Sequence, residues 1–141
     1  MRIAFGTDER TPVTDALRDA LAERGHEVDV VGEGDPWPDV GRRVGEAVAA
    51  GRAERGIACC WTGTGVSIAA NKVPGVRAAL CTDAETARGA RRWNDANVLA
   101  LGLRLTTEAL AEELIDAFLA ADTEPDPGEL AAIARLEGPH P

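Results

Sequence analysis

The chain has 141 residues, the size of one ordinary domain, so one hydrophobic core is expected. Hydrophobic residues make up 45% and charged residues 28%, the balance of a soluble globular protein, and no apolar run reaches the roughly 20 residues of a membrane span. The 24 acidic and 15 basic residues give a net charge of −9, which repels nucleic-acid phosphates and anionic lipid heads. Composition therefore excludes a membrane span and disfavours a nucleic-acid partner.

The N-terminus and the cysteines favour a cytoplasmic protein. The opening MRIAFGTDER becomes polar at once, whereas a secretory signal needs about 7–15 apolar residues. Cys59, Cys60 and Cys81 form an odd set without C-x-x-C spacing, and the chain has 2 histidines. This set predicts reduced thiols and neither a disulfide framework nor a zinc site.

Short apolar runs alternate with segments of helical period along the whole chain. The predicted strands are 2–6, 26–31, 56–60, 76–81 and 97–101. The predicted helices are 12–24, about 40–53, 66–72, a segment running from a capping box at 82–85 towards 92, about 107–120, and a short tail helix ending at 137. Thr11 should cap the first helix, with Pro12 at its first position and Gly25 at its end. Residues 32–38 are expected to form a loop.

Five strands that alternate with helices predict an α/β fold, a three-layer sandwich with a mainly parallel sheet covered by helices on both faces. We expect residues 1–121 to form this domain and residues 122–141 to form a C-terminal tail helix suited to packing on a partner subunit. In such sheets ligands bind beyond the carboxyl ends of the strands. The predicted ends carry residues 6–9, 60–65 and 102–104, so the site is expected there.

A glycine-rich loop joins the third predicted strand to the next helix. The N–H groups of its segment Thr62-Gly63-Thr64-Gly65 can form a nest for an oxyanion or a phosphate, helped by the helix dipole. The same glycines are equally compatible with close packing of the strand on the helix. The sequence therefore leaves an anion site and a packing role as alternatives.

Cys60 is the last residue of the third predicted strand, directly before this loop. The positive end of the following helix should favour its thiolate, which is a usable base or nucleophile. Buried cysteine is also a common core residue, so a structural role is the alternative, as expected for Cys59 and Cys81. Alternation along the strand directs Cys59 and Cys60 to opposite faces of the sheet.

Residues 63–72 (GTGVSIAANK) and 74–78 (PGVRA) closely resemble the signature of the ribose-5-phosphate isomerase B and galactose-6-phosphate isomerase family. The resemblance covers about residues 1–121. Further matching positions are Asp8, Trp37-Pro38, the segment 94–100, Gly102 and Arg104. The resemblance implies a Rossmann-like α/β/α sandwich that is usually dimeric. It also implies interconversion of aldose and ketose phosphates without a metal or an organic cofactor.

The resemblance also implies roles for individual residues. Cys60 matches the base that moves a proton between C1 and C2 of the sugar. Thr62 and the loop N–H groups would hold the charge on the enediolate oxygen. Three further residues match polar pocket positions of the family: Asn71, Asn94 and Arg104.

Several positions depart from the family pattern at the active site. Glu9 stands in place of the histidine after Asp8, Trp93 in place of the ring-opening histidine, and Asp39 in place of a third pocket histidine. Trp61 stands where the family has glycine. Its ring should narrow the pocket or stack on the substrate, with core packing as the alternative.

The positions of two phosphate-binding arginines in the family are occupied by Pro125 and Glu129 here. Four arginines could substitute unless they are solvated surface residues: Arg10, Arg42, Arg43 and Arg92. Together, these departures favour a substrate that is open-chain, short or unphosphorylated.

The leading hypothesis is an aldose–ketose isomerase of a sugar or sugar phosphate, without cofactor or metal, acting through an enediolate. The candidate catalytic residues are Cys60, Thr62, Asp8 and Glu9. The candidate substrate-binding residues are Gly63, Thr64, Gly65, Asn71, Trp61, Trp93, Asn94 and Arg104. A homodimer or a higher homo-oligomer is expected. The alternative is a catalytically inactive sugar-binding or sugar-phosphate-binding subunit of the same fold.

Overall fold

The computed structural model describes residues 1–138 as a five-stranded sheet with six helices. The strands are β1 (Arg2–Thr7), β2 (Glu27–Glu33), β3 (Arg55–Cys60), β4 (Ala78–Leu80) and β5 (Val98–Gly102). The helices are α1 (Pro12–Glu23), α2 (Trp37–Ala49), α3 (Thr64–Asn71), α4 (Ala84–Asn94), α5 (Glu108–Leu119) and α6 (Pro127–Leu136). The strand order is β2-β1-β3-β5-β4, and all neighbouring strands are parallel. This confirms the predicted Rossmann-like three-layer sandwich.

The two faces of the sheet carry separate hydrophobic cores. One core contains Phe118 of α5 together with residues of α1 and α4, and the other contains Val44 of α2 with residues of α3. Cys59 belongs to the first core and Cys60 to the second. The alternation of side chains along β3 therefore confirms the predicted opposite orientation of the two cysteines.

The starts of α1 and α4 are set by side-chain caps. Thr11 caps α1 as predicted, because its Oγ1 accepts a hydrogen bond from the Thr14 N–H at 3.3 Å. The predicted capping box with Thr82 as the cap of α4 is wrong. Asp83 is the cap, and its carboxylate accepts from the N–H and the hydroxyl of Thr86, each at 2.8 Å. A carboxylate competes well for this place because it can accept both bonds.

Two other predicted boundaries need correction. α2 begins at Trp37, within the predicted loop, because Pro38 is preorganised for a first helical turn. The helix ends at Ala49 rather than at the predicted residue 53. β4 contains three residues instead of the predicted 76–81. Its amino end is shortened because the Arg77 N–H donates to the Asn97 side chain at 2.8 Å and is not available to a neighbouring strand.

The tail helix α6 packs on α4 of its own chain. Ile133 is buried, and the N–H of Asp126 donates to the carbonyl of Arg92 at 2.9 Å. Packing of the tail on a partner subunit stays a prediction, as does the division of the chain after residue 121. Residues 139–141 of the predicted tail lie outside the described residues.

The described residues also bear on the expected classes of protein and site. Between residues 1 and 138 no helix has both the length and the apolar character to cross a bilayer. In that same part of the chain, no three His, Cys, Asp or Glu side chains are grouped to hold a metal ion. Cys59, Cys60 and Cys81 are buried free thiols, and Cys60 also lines a cavity.

Candidate functional site

A cavity of about 410 Å³ opens at the carboxyl ends of β1 and β3, where a parallel α/β sheet is expected to bind its ligand. Its lining combines a thiol, a carboxylate, two hydroxyls and three large apolar side chains: Asp8, Trp37, Cys60, Trp61, Thr62, Thr64, Gly65 and Ile68. The structure thus brings three of the four candidate catalytic residues together. The fourth, Glu9, is exposed beside Asp8.

The loop between β3 and α3 supplies hydrogen-bond donors to this cavity. Gly63 has a left-handed backbone with φ +77°, and the first turn of α3 is closed by the Ser67 N–H donating to the Gly63 carbonyl at 3.2 Å. The N–H groups of residues 64–66 therefore have no partner within the helix. The hydroxyls of Thr62 and Thr64 lie 2.8 Å apart at the same opening. This arrangement favours an anionic oxygen at the start of α3.

Gly63 is expected to be hard to replace. A Cβ there would lie 2.5 Å from Leu80 Cδ1 and 2.8 Å from the Gly102 nitrogen. We expect Gly63→Ala to lower the free energy of unfolding by about 2–5 kcal/mol, because left-handed strain costs about 1–2 kcal/mol and overpacking about 1–3 kcal/mol. Gly34 has a similar backbone, with φ +80°, but a Cβ there would lie in open space. Gly34→Ala should therefore cost only the backbone strain, about 1–2 kcal/mol. Urea unfolding compares the two variants, and equal losses would contradict the packing argument.

The segment after β5 holds this loop in place. The N–H of Leu103 donates to the carbonyl of Cys60, and the N–H of Arg104 donates to the carbonyl of Trp61, both at 2.9 Å. Cys60 is also in register with Gly102 of β5. Because two strand ends fix the loop, the thiol and the donors keep a defined relation to each other.

Arg104 is the arginine best placed to meet a phosphate. The four arginines considered as substitutes are ion-paired: Arg10 with Asp15 at 3.0 Å, Arg42 with Glu46 at 3.1 Å, Arg43 with Asp35 at 3.3 Å and Arg92 with Asp126 at 3.8 Å. Arg104 lines a second cavity of about 180 Å³, which shares Trp61 and Thr62 with the first. Within residues 1–138, no carboxylate lies at ion-pairing distance from Arg104.

Asp8 brings a carboxylate with an unsatisfied oxygen to the cavity. Its N–H donates to the carbonyl of Cys59 at 3.2 Å, which joins the end of β1 to the end of β3. Its Oδ1 is buried and has no hydrogen-bond partner among the described residues. Burial, and secondly the charge of Glu9, raise the pKa of Asp8. Such a carboxyl group can exchange a proton with a substrate oxygen.

If Asp8 exchanges a proton with the substrate, replacing Glu9 with glutamine should shift the pH dependence of the reaction. The substitution removes a neighbouring negative charge, so the pKa of Asp8 falls and the matching limb of the pH profile of kcat/KM moves to lower pH. Steady-state kinetics across pH measure this shift. Glu113→Gln, which removes an equal charge from an exposed site on α5, is the control and should leave the limb in place. A shift of the Glu9→Gln limb to higher pH would contradict the prediction.

Three other predicted substrate-binding residues lie outside the cavity with Cys60. The amide of Asn71 binds both the N–H and the carbonyl of Ala78, at 2.8 and 3.0 Å, and so positions β4. Trp93 and Asn94 end α4, before the amino end of β5. Cys60 is level with the other end of β5, so a strand of five residues separates them from it, about 13 Å. Their substrate-binding role stays a prediction.

Two cavity residues had no assigned role in the sequence analysis. The ring of Trp37 covers Gly65 so closely that a Cβ there would lie 2.8 Å from Trp37 Cδ2. Ile68 on α3 is 58% exposed. The sequence contained a signal for Ile68: it is a large apolar residue that does not share the buried face of α3 formed by Val66 and Ala70.

Comparisons with known proteins assign the chain to a family. The family described as Ribose/Galactose Isomerase matches residues 3–135. The chain is 40% identical over 130 residues to the D-erythrulose-4-phosphate isomerase of Pectobacterium atrosepticum, covering 88% of this chain and 86% of the relative. It is 41% identical over 130 residues to the galactose-6-phosphate isomerase subunit LacB of Clostridium acetobutylicum, covering 89% of this chain and 75% of the relative.

The fold comparison agrees with these matches. The solved structure of ribose-5-phosphate isomerase B from Clostridium thermocellum superimposes with a TM-score of 0.88 at 40% identity, over 97% of this chain and 95% of that one. These findings confirm the expected fold and the expected enzyme class, an isomerase. The chain belongs to the ribose/galactose isomerase family.

Proposed function

We propose that the chain is an aldose–ketose isomerase of a short, open-chain sugar phosphate. The observation that carries this proposal is the cavity in which the thiol of Cys60 lies beside the donors of the loop 62–66. Isomerisation needs a base at the carbon next to a carbonyl and fixed donors for the enediolate oxygen. One cavity supplies both requirements.

In the proposed reaction, Cys60 takes the proton from C2 of the aldose and returns it to C1. The N–H groups of residues 64–66 and the hydroxyl of Thr62 bind the oxygen that becomes negatively charged. Asp8 carries the proton of the C2 hydroxyl to the C1 oxygen, so that no proton is gained or lost overall. Arg104 binds the phosphate from the neighbouring cavity.

Two substitutions favour a substrate that does not form a ring. The indole of Trp93, in the position of a ring-opening histidine, cannot exchange protons as imidazole does. The side chain of Trp61 reduces the space next to Cys60. A four-carbon sugar 4-phosphate has its O4 blocked and cannot close a five-membered ring. One relative is a D-erythrulose-4-phosphate isomerase, which supports a four-carbon ketose phosphate as the substrate class.

A homodimer would explain the positions of Trp93 and Asn94. Within one chain both lie near the amino ends of the strands, whereas Cys60 lies at the carboxyl ends, so a second copy would have to bring them to the cavity. The mouth of the cavity is also rich in exposed apolar surface, at Trp37, Trp61 and Ile68, which is typical of an interface. Sedimentation velocity tests this assembly, and a fully active monomer would contradict it.

A cytoplasmic location follows from the proposed substrate. A phosphorylated sugar carries charge that a bilayer does not pass readily, so it stays in the compartment in which it is made. We therefore place the enzyme with the cytoplasmic sugar phosphates.

The second candidate function is a binding subunit without catalysis of its own. The similarity to a galactose-6-phosphate isomerase subunit favours it, since a subunit can depend on a different chain for activity. Retention of a thiol beside a complete donor loop supports the enzyme instead, because binding alone does not require a base.

Incubation in D₂O is expected to separate the two candidates. If Cys60 moves a proton through an enediolate, D-erythrulose 4-phosphate should gain deuterium at C1. This gain is seen as loss of the C1 proton signal in the NMR spectrum. A discontinuous assay for the aldose product covers the case in which the transferred proton is shielded from solvent. Neither exchange nor product, across a panel of ketose phosphates, would overturn the enzyme proposal and favour the binding subunit.

A further inference from the structure

The two cavities at the carboxyl edge of the sheet have one wall in common. The larger, about 410 Å³, contains Cys60 and Asp8, and the smaller, about 180 Å³, contains Arg104. Trp61 and Thr62 line both. A substrate with its carbonyl at Cys60 and its phosphate at Arg104 must therefore pass this shared wall.

Trp61 forms the larger part of that wall and has a fixed backbone. Its carbonyl accepts a hydrogen bond from the Arg104 N–H at 2.9 Å, and the preceding carbonyl, of Cys60, accepts one from Leu103 at the same distance. The residue is 56% exposed, so its ring is not taken up by the core. The alternative of core packing is therefore disfavoured, and the ring faces the space where a ligand would lie.

The larger cavity has two further apolar side chains in its lining, Trp37 and Ile68. The indole of Trp37 rests on Gly65, and Ile68 projects from α3 next to it. Where a substrate carbon chain contacts Trp61, Trp37 or Ile68, these side chains offer few partners for its hydroxyl groups. Each added CHOH unit would bring a hydroxyl against an indole, and apolar pockets reject an added hydroxyl by on the order of 10²-fold.

We propose that Trp61 sets the carbon-chain length of the substrate by limiting the path between Cys60 and Arg104. This inference rests on the proposed isomerase function and specifies the specificity determinant of that site. With the indole in place, the path accommodates a four-carbon ketose phosphate. Without it, the two cavities merge and accommodate a longer chain with more hydroxyls.

The test uses two acyclic ketoses that differ by one CHOH unit, D-erythrulose 4-phosphate and D-ribulose 5-phosphate. Neither forms a furanose ring, because a 2-ketose closes that ring through O5, which the four-carbon ketose lacks and which carries the phosphate in D-ribulose 5-phosphate. Ring opening of the ketose therefore does not enter the comparison. We expect the ratio of kcat/KM for the four-carbon over the five-carbon substrate to fall by about 10²-fold in Trp61→Gly. Trp61→Phe, which keeps part of the ring, should show a smaller fall.

Leu105→Ala is the matched control for loss of apolar bulk. Leu105 lines the smaller cavity but not the shared wall, so this change enlarges that cavity and leaves the path past Trp61 unchanged. Its ratio should stay close to that of the parent protein. Thermal melting of each variant shows that the fold is kept, and Trp61→Phe serves if Trp61→Gly does not fold.

Binding provides a readout that does not depend on turnover. Calorimetry measures the dissociation constants of both ketose phosphates for Cys60→Ala and for Cys60→Ala/Trp61→Gly. For each variant, these constants give the preference for the four-carbon over the five-carbon ketose. If the parent protein turns over neither ketose but the binding ratio changes as expected, the isomerase proposal fails and the role of Trp61 stands. An unchanged ratio in both measurements overturns the role of Trp61. If the parent protein turns over neither ketose and the Cys60→Ala variants bind neither of them, both proposals are overturned.

Discussion

Cys60→Ala is expected to lower kcat by about 10²- to 10⁴-fold, the usual loss when a positioned base is removed. The fold should persist, because Cys60 is a small side chain at the edge of its core, next to the cavity. Steady-state kinetics and thermal melting measure the two effects. Unchanged turnover would assign the base to a carboxylate instead, with Asp8 in the cavity or Glu9 beside it as the next candidates.

Cys59→Ala is the matched control for this prediction. Cys59 is fully buried on the opposite face of β3, and burial raises the pKa of its thiol, which keeps it protonated. Removing its sulfur should cost about 1 kcal/mol of stability through a small cavity. Turnover should stay within a few-fold of the parent protein. If both variants lost activity equally, the effect of Cys60→Ala would be structural rather than catalytic.

The second large expected effect concerns the substrate. We expect kcat/KM for D-ribose 5-phosphate to be at least about 10²-fold below that for D-erythrulose 4-phosphate, because Trp93 stands in place of the ring-opening histidine and loss of a general acid–base group costs about 10²- to 10⁴-fold. Trp61 adds to the difference by narrowing the path to Arg104. Coupled assays with each substrate at equal enzyme concentration measure the ratio.

Trp93→His tests the physical reason for this selectivity. An imidazole at this position should raise kcat/KM for ribose 5-phosphate, which needs ring opening, and leave that for D-erythrulose 4-phosphate nearly unchanged. Efficient use of ribose 5-phosphate by the parent protein would contradict the prediction. Equal gains with both substrates would show that Trp93 affects the site in another way.

The alternation of strands and helices, and with it the sandwich, could be predicted because local periodicity depends on residues close in sequence. The Thr11 cap is local in the same sense, since its hydroxyl reaches a backbone N–H three residues away. The error in the length of β4 arose from a contact with a distant partner. β4 is short because Arg77 binds Asn97, 20 residues further along the chain, and no periodicity shows this contact.

For the site, the resemblance predicted the family, and local patterns predicted the thiol at the end of β3, the opposite orientation of Cys59 and the donor loop that follows. The last three depend on residues adjacent in sequence, whose geometry is set by the strand and the helix they join.

The contacts between this loop and distant side chains are visible only in the three-dimensional structure. It placed Trp37 over Gly65, left Asp8 Oδ1 buried without a partner among the described residues, and made Trp61 a wall between two cavities. It also placed Trp93 near the amino ends of the strands, away from Cys60. These relations depend on strand order and register, which bring together segments far apart in the chain and so cannot be read from a local pattern.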